Sequence, residues 1–274
     1  MNRITALLVL GGALLPATAV AQLLPDYEPV RHACCLSLTI RNISDQLQDW
    51  NQLSRYYTEN QELRRLPADP KRVVFMGDSI TELWRLAESF PGQSYVNRGI
   101  SGQTSSQMLG RMFQDVIALK PAAVVILAGT NDISRATGAV TAQMVEDNIQ
   151  AMAQLAQANG IKVILCSILP TDDEPVVAPG TPARTGPPPP AGTRPVPRRK
   201  HSELRPPTDI TQLNAWMRDY AKTAGVTYVD YFSAVVDANG MLRDGLSNDG
   251  IHPTAAGYAV MAPLVDAALK TALR

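Results

Sequence analysis

Cysteine is scarce in this chain, with three among 274 residues. Cys34 and Cys35 are neighbours, and the Cα spacing a disulfide requires rarely lets neighbours pair with each other. Either could pair elsewhere, whereas Cys166, inside the apolar run 163–166, reads as a buried small hydrophobe. No cysteine and histidine spacing marks a metal site. Aromatic residues make up only 5% of the chain, which argues against a stacking platform for bases. An excess of charge of either sign is also missing, since 25 basic residues balance 25 acidic ones. That balance gives no electrostatic basis for binding nucleic acid or an anionic membrane surface. Long hydrophobic runs are absent after the first residues, and none nears the roughly 20 apolar residues of a membrane span.

The exception is the start. Arg3 precedes an apolar run over 4–15, and small residues follow, ending Ala19-Val20-Ala21. A charged start, a short apolar core and an A-x-A ending describe a secretory signal peptide over 1–21, cleaved before Gln22. A secreted or periplasmic location is expected. Residues 22–70 then form an extension, in which 43–63 carries Leu47, Trp50, Leu53, Tyr56 and Tyr57 at helical spacing. One helix packed on the outside of the main domain is expected there.

From about residue 71 to 274, short apolar runs alternate with amphipathic stretches. Strands are expected at 73–76, 94–97, 124–127, 163–167 and 227–231, and helices at 105–119, 141–159, 208–224 and 254–273. Near-continuous apolar strands suit a parallel sheet covered on both faces. The expected fold is therefore a three-layer α/β/α sandwich, doubly wound like flavodoxin, with a five-stranded, mainly parallel sheet. One segment breaks the rhythm. An insertion at about 171–207 is rich in proline and carries Arg194, Arg198, Arg199, Lys200 and Arg205. Its composition predicts neither helix nor strand; a solvated loop with a solvated basic patch is favoured over a loop that borders the active-site mouth, the alternative its place after the fourth strand allows. Deleting most of 172–205 is therefore expected to leave turnover of small esters largely unchanged, with any change confined to a bulky polymer or lipid.

Four separate short motifs carry the chemistry. Ser79 lies in Gly77-Asp78-Ser79-Ile80, directly after the first strand, where a hydroxyl would stand at the carboxyl edge of the sheet. Serine also caps helices, so the hydroxyl alone has two readings. Asp249 and His252 are three residues apart in Asp249-Gly250-Ile251-His252, close enough for the carboxylate to hold the imidazole. Of three histidines, His32 lies in the extension and His201 in the insertion, leaving His252 as the base for a core serine. Gly102, in Gly99-Ile100-Ser101-Gly102, and Asn131, in Gly129-Thr130-Asn131-Asp132, follow the second and third strands. With the Ser79 N–H they would supply three donors to a tetrahedral oxyanion. The set describes acyl transfer through a serine nucleophile.

These blocks resemble those of the SGNH hydrolases, the GDSL-type esterases and lipases. The resemblance runs over Val74–Thr81, Asn97–Thr104, Gly129–Asp132 and Asp249–Pro253, with Ile80 where the family's nickname has leucine. It implies hydrolysis of carboxylic esters with neither metal nor organic cofactor. The substrate would be a small-molecule, saccharide or lipid ester, such as a short acyl ester, an acetylated sugar or a lysophospholipid. An O-acyltransferase acting on sugar hydroxyls and a non-catalytic carbohydrate-binding module are the alternatives. The α/β-hydrolase fold is set aside because Ser79 lacks a G-x-S-x-G elbow.

Overall fold

The computed structural model describes residues 47–67, 69–174 and 199–274. The expected leader, the cysteine pair and most of the insertion lie outside the described residues. Five parallel strands form one sheet in the order β2-β1-β3-β4-β5: β1 Val73–Gly77, β2 Tyr95–Gly99, β3 Ala123–Leu127, β4 Lys162–Cys166 and β5 Thr227–Val229. The expected strands are all present, with ends shifted by up to two residues. Chain order reverses at β1, with β2 on one side and β3 on the other. That is the switch point where open α/β sheets bind ligands, beyond the carboxyl ends of the strands.

Register sharpens the placement. Gly77 lies opposite both Gly99 and Leu127, so β1, β2 and β3 end level and their following loops share one edge. Alternate strand residues point to opposite faces. Val74 and Met76 join Met108, Met112, Ile149 and Met217 on one side. Val73 and Phe75 join Ile80, Trp84, Phe90, Tyr231 and Tyr258 on the other. Both faces are mostly aliphatic, but the buried aromatic rings gather on the second.

Helices α1 Tyr57–Arg65, α2 Ser79–Glu82, α3 Leu86–Ser89, α4 Ser105–Asp115, α5 Thr130–Ile133, α6 Ala142–Ala158, α7 His201–Leu204, α8 Pro207–Ala224, α9 Tyr231–Val235 and α10 Ala255–Ala272 cover the two faces. The helix expected over 105–119 ends at Asp115 and continues as a 3₁₀ turn over Ile117–Leu119. Among the described residues, no helix is long and apolar enough to cross a membrane.

Two expectations fail. The extension is not one helix through Leu63, because its described part, helical at 47–48, turns at 49–56 before α1 begins. The Asp49 carboxylate accepts from the N–H groups of Leu53 and Ser54, and Gln52 adopts a left-handed φ of 55°. Those features break the helical path. Leu47, Trp50 and Tyr57 are exposed as a result, and Tyr56 is the member of that apolar series that is buried. The insertion is the second failure. Its last residues form the short helix α7, and Pro207 opens α8 in the position that proline tolerates.

Candidate active site

The residue that caps the turn after β1 is Asp78, not Ser79. Its Oδ1 accepts from the Ile80 N–H at 2.9 Å, which leaves the Ser79 hydroxyl outside the capping scheme. Ser79 is the first residue of α2, where a backbone N–H has no acceptor within the helix. Its Oγ lies 2.8 Å from His252 Nε2, and His252 Nδ1 lies 2.7 Å from Asp249 Oδ2. The other Asp249 oxygen accepts from the N–H groups of Ile251 and His252 and from the Ser247 hydroxyl. Burial alone would raise the Asp249 carboxyl, but the His252 ring and these backbone donors outweigh it. The carboxyl is held well below the usual carboxylate range.

Asn131 lies between the motifs of Ser79 and Gly102. Its Nδ2 donates to the Gln103 carbonyl at 3.0 Å and, at a long 3.4 Å, to Asp78 Oδ2. A bond that long is easily exchanged for a better acceptor. Gly102 is exposed, with φ +79° and nothing within 4 Å of where a Cβ would project. A left-handed turn of that kind favours glycine and leaves the loop's cleft side unobstructed. Asp132, beside Asn131, is buried and accepts from the Ser105 N–H and hydroxyl, tying α5 to α4.

The insertion contributes a residue that composition hides. Arg205 is 8% exposed, and its Nε donates to the Thr130 carbonyl at 3.1 Å. Its Nη2 reaches Asn131 Oδ1 at 3.5 Å. The expectation of a wholly solvated basic patch is thus wrong at Arg205, though Arg199 and Lys200 are exposed. Complete burial pushes the Asp78 carboxyl up to about 6, against the pull of the Ile80 N–H, His252 and Arg205. Burial in turn lowers the Arg205 guanidinium, and Asp78 opposes that shift.

Both described ends of the insertion are fastened here. The Asp172 N–H donates to the Gly250 carbonyl at 2.8 Å. A Cβ on Gly250 would stand 2.0 Å from the Asp172 carbonyl oxygen and 3.0 Å from His201 Cδ2, so the loop bearing Asp249 and His252 closes tightly on the insertion. The Asp173 carboxylate accepts from the Ser202 N–H at 2.8 Å and from its hydroxyl at 2.6 Å, joining the two ends. On the far side, Glu82 accepts from the Ser101 N–H and hydroxyl and from Arg55. The Tyr56 hydroxyl donates to the Gly99 carbonyl. The extension therefore buttresses the loop that carries Gly102.

A family model of the GDSL-like lipase/acylhydrolases matches residues 75–260. The chain belongs to the GDSL-like lipase/acylhydrolase family. It is similar to the structure of a GDSL-like lipase from Bacteroides thetaiotaomicron, with 39% identity and a TM-score of 0.66 over 81% of this chain and 99% of that one. An acetylxylan esterase from Geobacillus stearothermophilus, 19% identical at a TM-score of 0.55 over 74% of this chain and 96% of its own, shares the fold. The curated esterase TesA of Pseudomonas aeruginosa is 43% identical over 84 residues, or 31% of this chain. That match spans 40% of the curated relative's length. Membership in this acylhydrolase family makes the chain a hydrolase of the esterase type, while sequence reasoning had missed Arg205, Glu82 and Tyr56. The signal for Arg205 was slight: a lone arginine directly ahead of the proline pair that opens α8.

Proposed function

We propose that the protein is a secreted or periplasmic serine esterase that works through an acyl-enzyme on Ser79. The supporting observation is the unbroken line from Ser79 Oγ through His252 to Asp249, with spacings of 2.8 and 2.7 Å. Asp249 accepts the Nδ1–H of His252, which leaves the Nε2 lone pair to take the Ser79 proton. Oγ attacks the ester carbonyl carbon, and the carbonyl oxygen becomes an oxyanion facing Asn131 and the N–H groups of Ser79 and Gly102. Collapse expels the alcohol oxygen, which takes the proton from His252. Water then repeats the cycle on the acyl-enzyme, giving a carboxylic acid and free Ser79.

Arg205 is a positioning residue in this scheme. Its bond to the Thr130 carbonyl fixes the backbone next to Asn131, its second nitrogen lies near Asn131 Oδ1, and its charge offsets that of Asp78. No step calls for a metal or organic group. The N-terminal features at 1–21 support export, which N-terminal sequencing of the exported protein checks, with Gln22 expected first. The activity itself is tested with p-nitrophenyl esters of graded chain length and by labelling with a fluorophosphonate. Turnover with one equivalent of label on Ser79 is expected; a protein that takes no label and hydrolyses no ester would overturn the reading.

A further inference from the structure

A cavity of about 720 Å³ lies beside Gly102, and the steps above leave it unused. Trp50 and Gln52 of the extension, Ser101 and Gly102 of the loop after β2, Gln107 of α4 and Thr137 line it. The wall from the extension is built into the fold. Gln107 Nε2 donates to the Trp50 carbonyl at 2.8 Å, and Gln103 Nε2 to the Asn51 carbonyl at 3.0 Å. The Asn51 side chain lies so close on Gly110 that a Cβ there would come within 2.1 Å of it. Trp50 is nevertheless 46% exposed, the one large apolar side chain among the described residues that line a mainly polar cavity.

The lining discriminates among the kinds of ester the family fold could serve. An acyl chain would find two apolar side chains, Trp50 and Ala136, and would strip water from amides and hydroxyls without replacing its hydrogen bonds. A phosphate headgroup would find no cation among the described lining residues, whose single charged side chain is the Asp49 carboxylate. A neutral polyol meets neither obstacle. Its hydroxyls suit Gln52, Ser101 and Thr137, and the flat face of a sugar ring suits the indole.

We propose that this cavity is a subsite for the sugar portion of the substrate, so that the ester cleaved at Ser79 is carried by a saccharide. The inference rests on the esterase reading, and its test separates the two. Binding of 6-O-acetyl methyl glucoside to Ser79→Ala protein is measured by calorimetry, with and without Trp50→Ala and Trp50→Phe. Trp50→Ala is expected to weaken binding about tenfold, and Trp50→Phe to restore most of it. In the protein with Ser79 intact, the ratio of kcat/KM for the acetylated sugar to that for p-nitrophenyl acetate should fall by a similar factor, through KM. Equal affinity with and without the indole would overturn the subsite, as would displacement of the sugar by lysophosphatidylcholine in a Trp50-dependent manner. Because binding is read without turnover, a failure of wild-type hydrolysis would count against the esterase reading alone.

Discussion

The two sides of the catalytic cleft are held in different ways. On the side of the base, Asp249, Ile251 and His252 bond one another across no more than three residues of chain. Behind them stands a cluster of aromatic rings, where Trp84 stacks on Tyr258 at 5.1 Å and the Tyr258 hydroxyl donates to the Ile80 carbonyl at 2.7 Å. The oxyanion side has little of either. Asn131 is reached by Arg205 from 74 residues away, and Gly99 by Tyr56 from 43 away. Buried Arg111 spans Gln103, Asp115 and the Gly77 carbonyl beneath the loop. A local turn on a rigid apolar layer sets the nucleophile and base. Polar ties from distant segments set the donors, so that side is the one remote substitutions will disturb.

The contrast can be broken at several points, and the largest effect is expected at its shared residue. Ser79→Ala should lower kcat/KM on p-nitrophenyl acetate by on the order of 10³-fold or more while the melting temperature stays close to wild type. Near wild-type turnover would refute the serine mechanism. Asn131→Ala should lower kcat roughly 10²–10³-fold with little change in KM, since its amide is asked to bind the oxyanion and not the ground-state carbonyl. An effect confined to KM would reduce Asn131 to a loop cap.

Arg205→Met tests whether the oxyanion side depends on a remote tie. It should lower kcat on the order of tenfold through misplacement of Asn131, leave KM nearly unchanged, and be partly rescued by Arg205→Lys. It should also move the titration of Asp78 above 6, because a cation that favours the charged carboxylate is gone. A deletion that removes Arg205 with the insertion should therefore impair small-ester turnover, contrary to what composition suggests.

The smallest effect concerns stability. Asp78 has its carboxyl raised from 3.8 to about 6, so between those values the native state holds more of that proton than the unfolded chain does. Its contribution to stability is complete below about pH 4 and is lost as pH rises through about 6, by at most about 3 kcal/mol. Asp249, whose carboxyl is depressed, acts in the opposite sense, contributing stability that disappears as pH falls through its lowered value. Asp78→Asn keeps a side-chain oxygen for the Ile80 N–H and should flatten the decline between pH 4 and 6 in thermal melts. An unchanged slope would show that Asp78 is not the group responsible.

What sequence made legible follows the same division. Strands reveal themselves because burial on both faces demands apolar runs such as Val73–Met76, and Asp249 and His252 reveal each other because three residues separate them. Ser79 had two readings until Asp78 proved to be the cap. Arg205 could not be inferred from its neighbours: a polar contact across 74 residues leaves no periodicity, and its setting of proline and basic residues reads as solvent-facing. The extension misled for a related reason. Its apolar residues fit a helix through Leu63, but the Asp49 carboxylate and the left-handed Gln52 turn the chain, leaving Trp50 half-exposed in the lining of a cavity instead of on a packed face.

The clasp between Asp173 and Ser202 has a consequence for divergence. Because the ends are joined at the base, Arg205 keeps its position whatever number of residues runs between them. Closing a longer loop costs little, about 0.6 kcal/mol for each doubling. The intervening stretch can thus lengthen, shorten or accept a foreign module while the catalytic geometry is inherited unchanged. It offers relatives of this protein a place to acquire new recognition without renegotiating the chemistry.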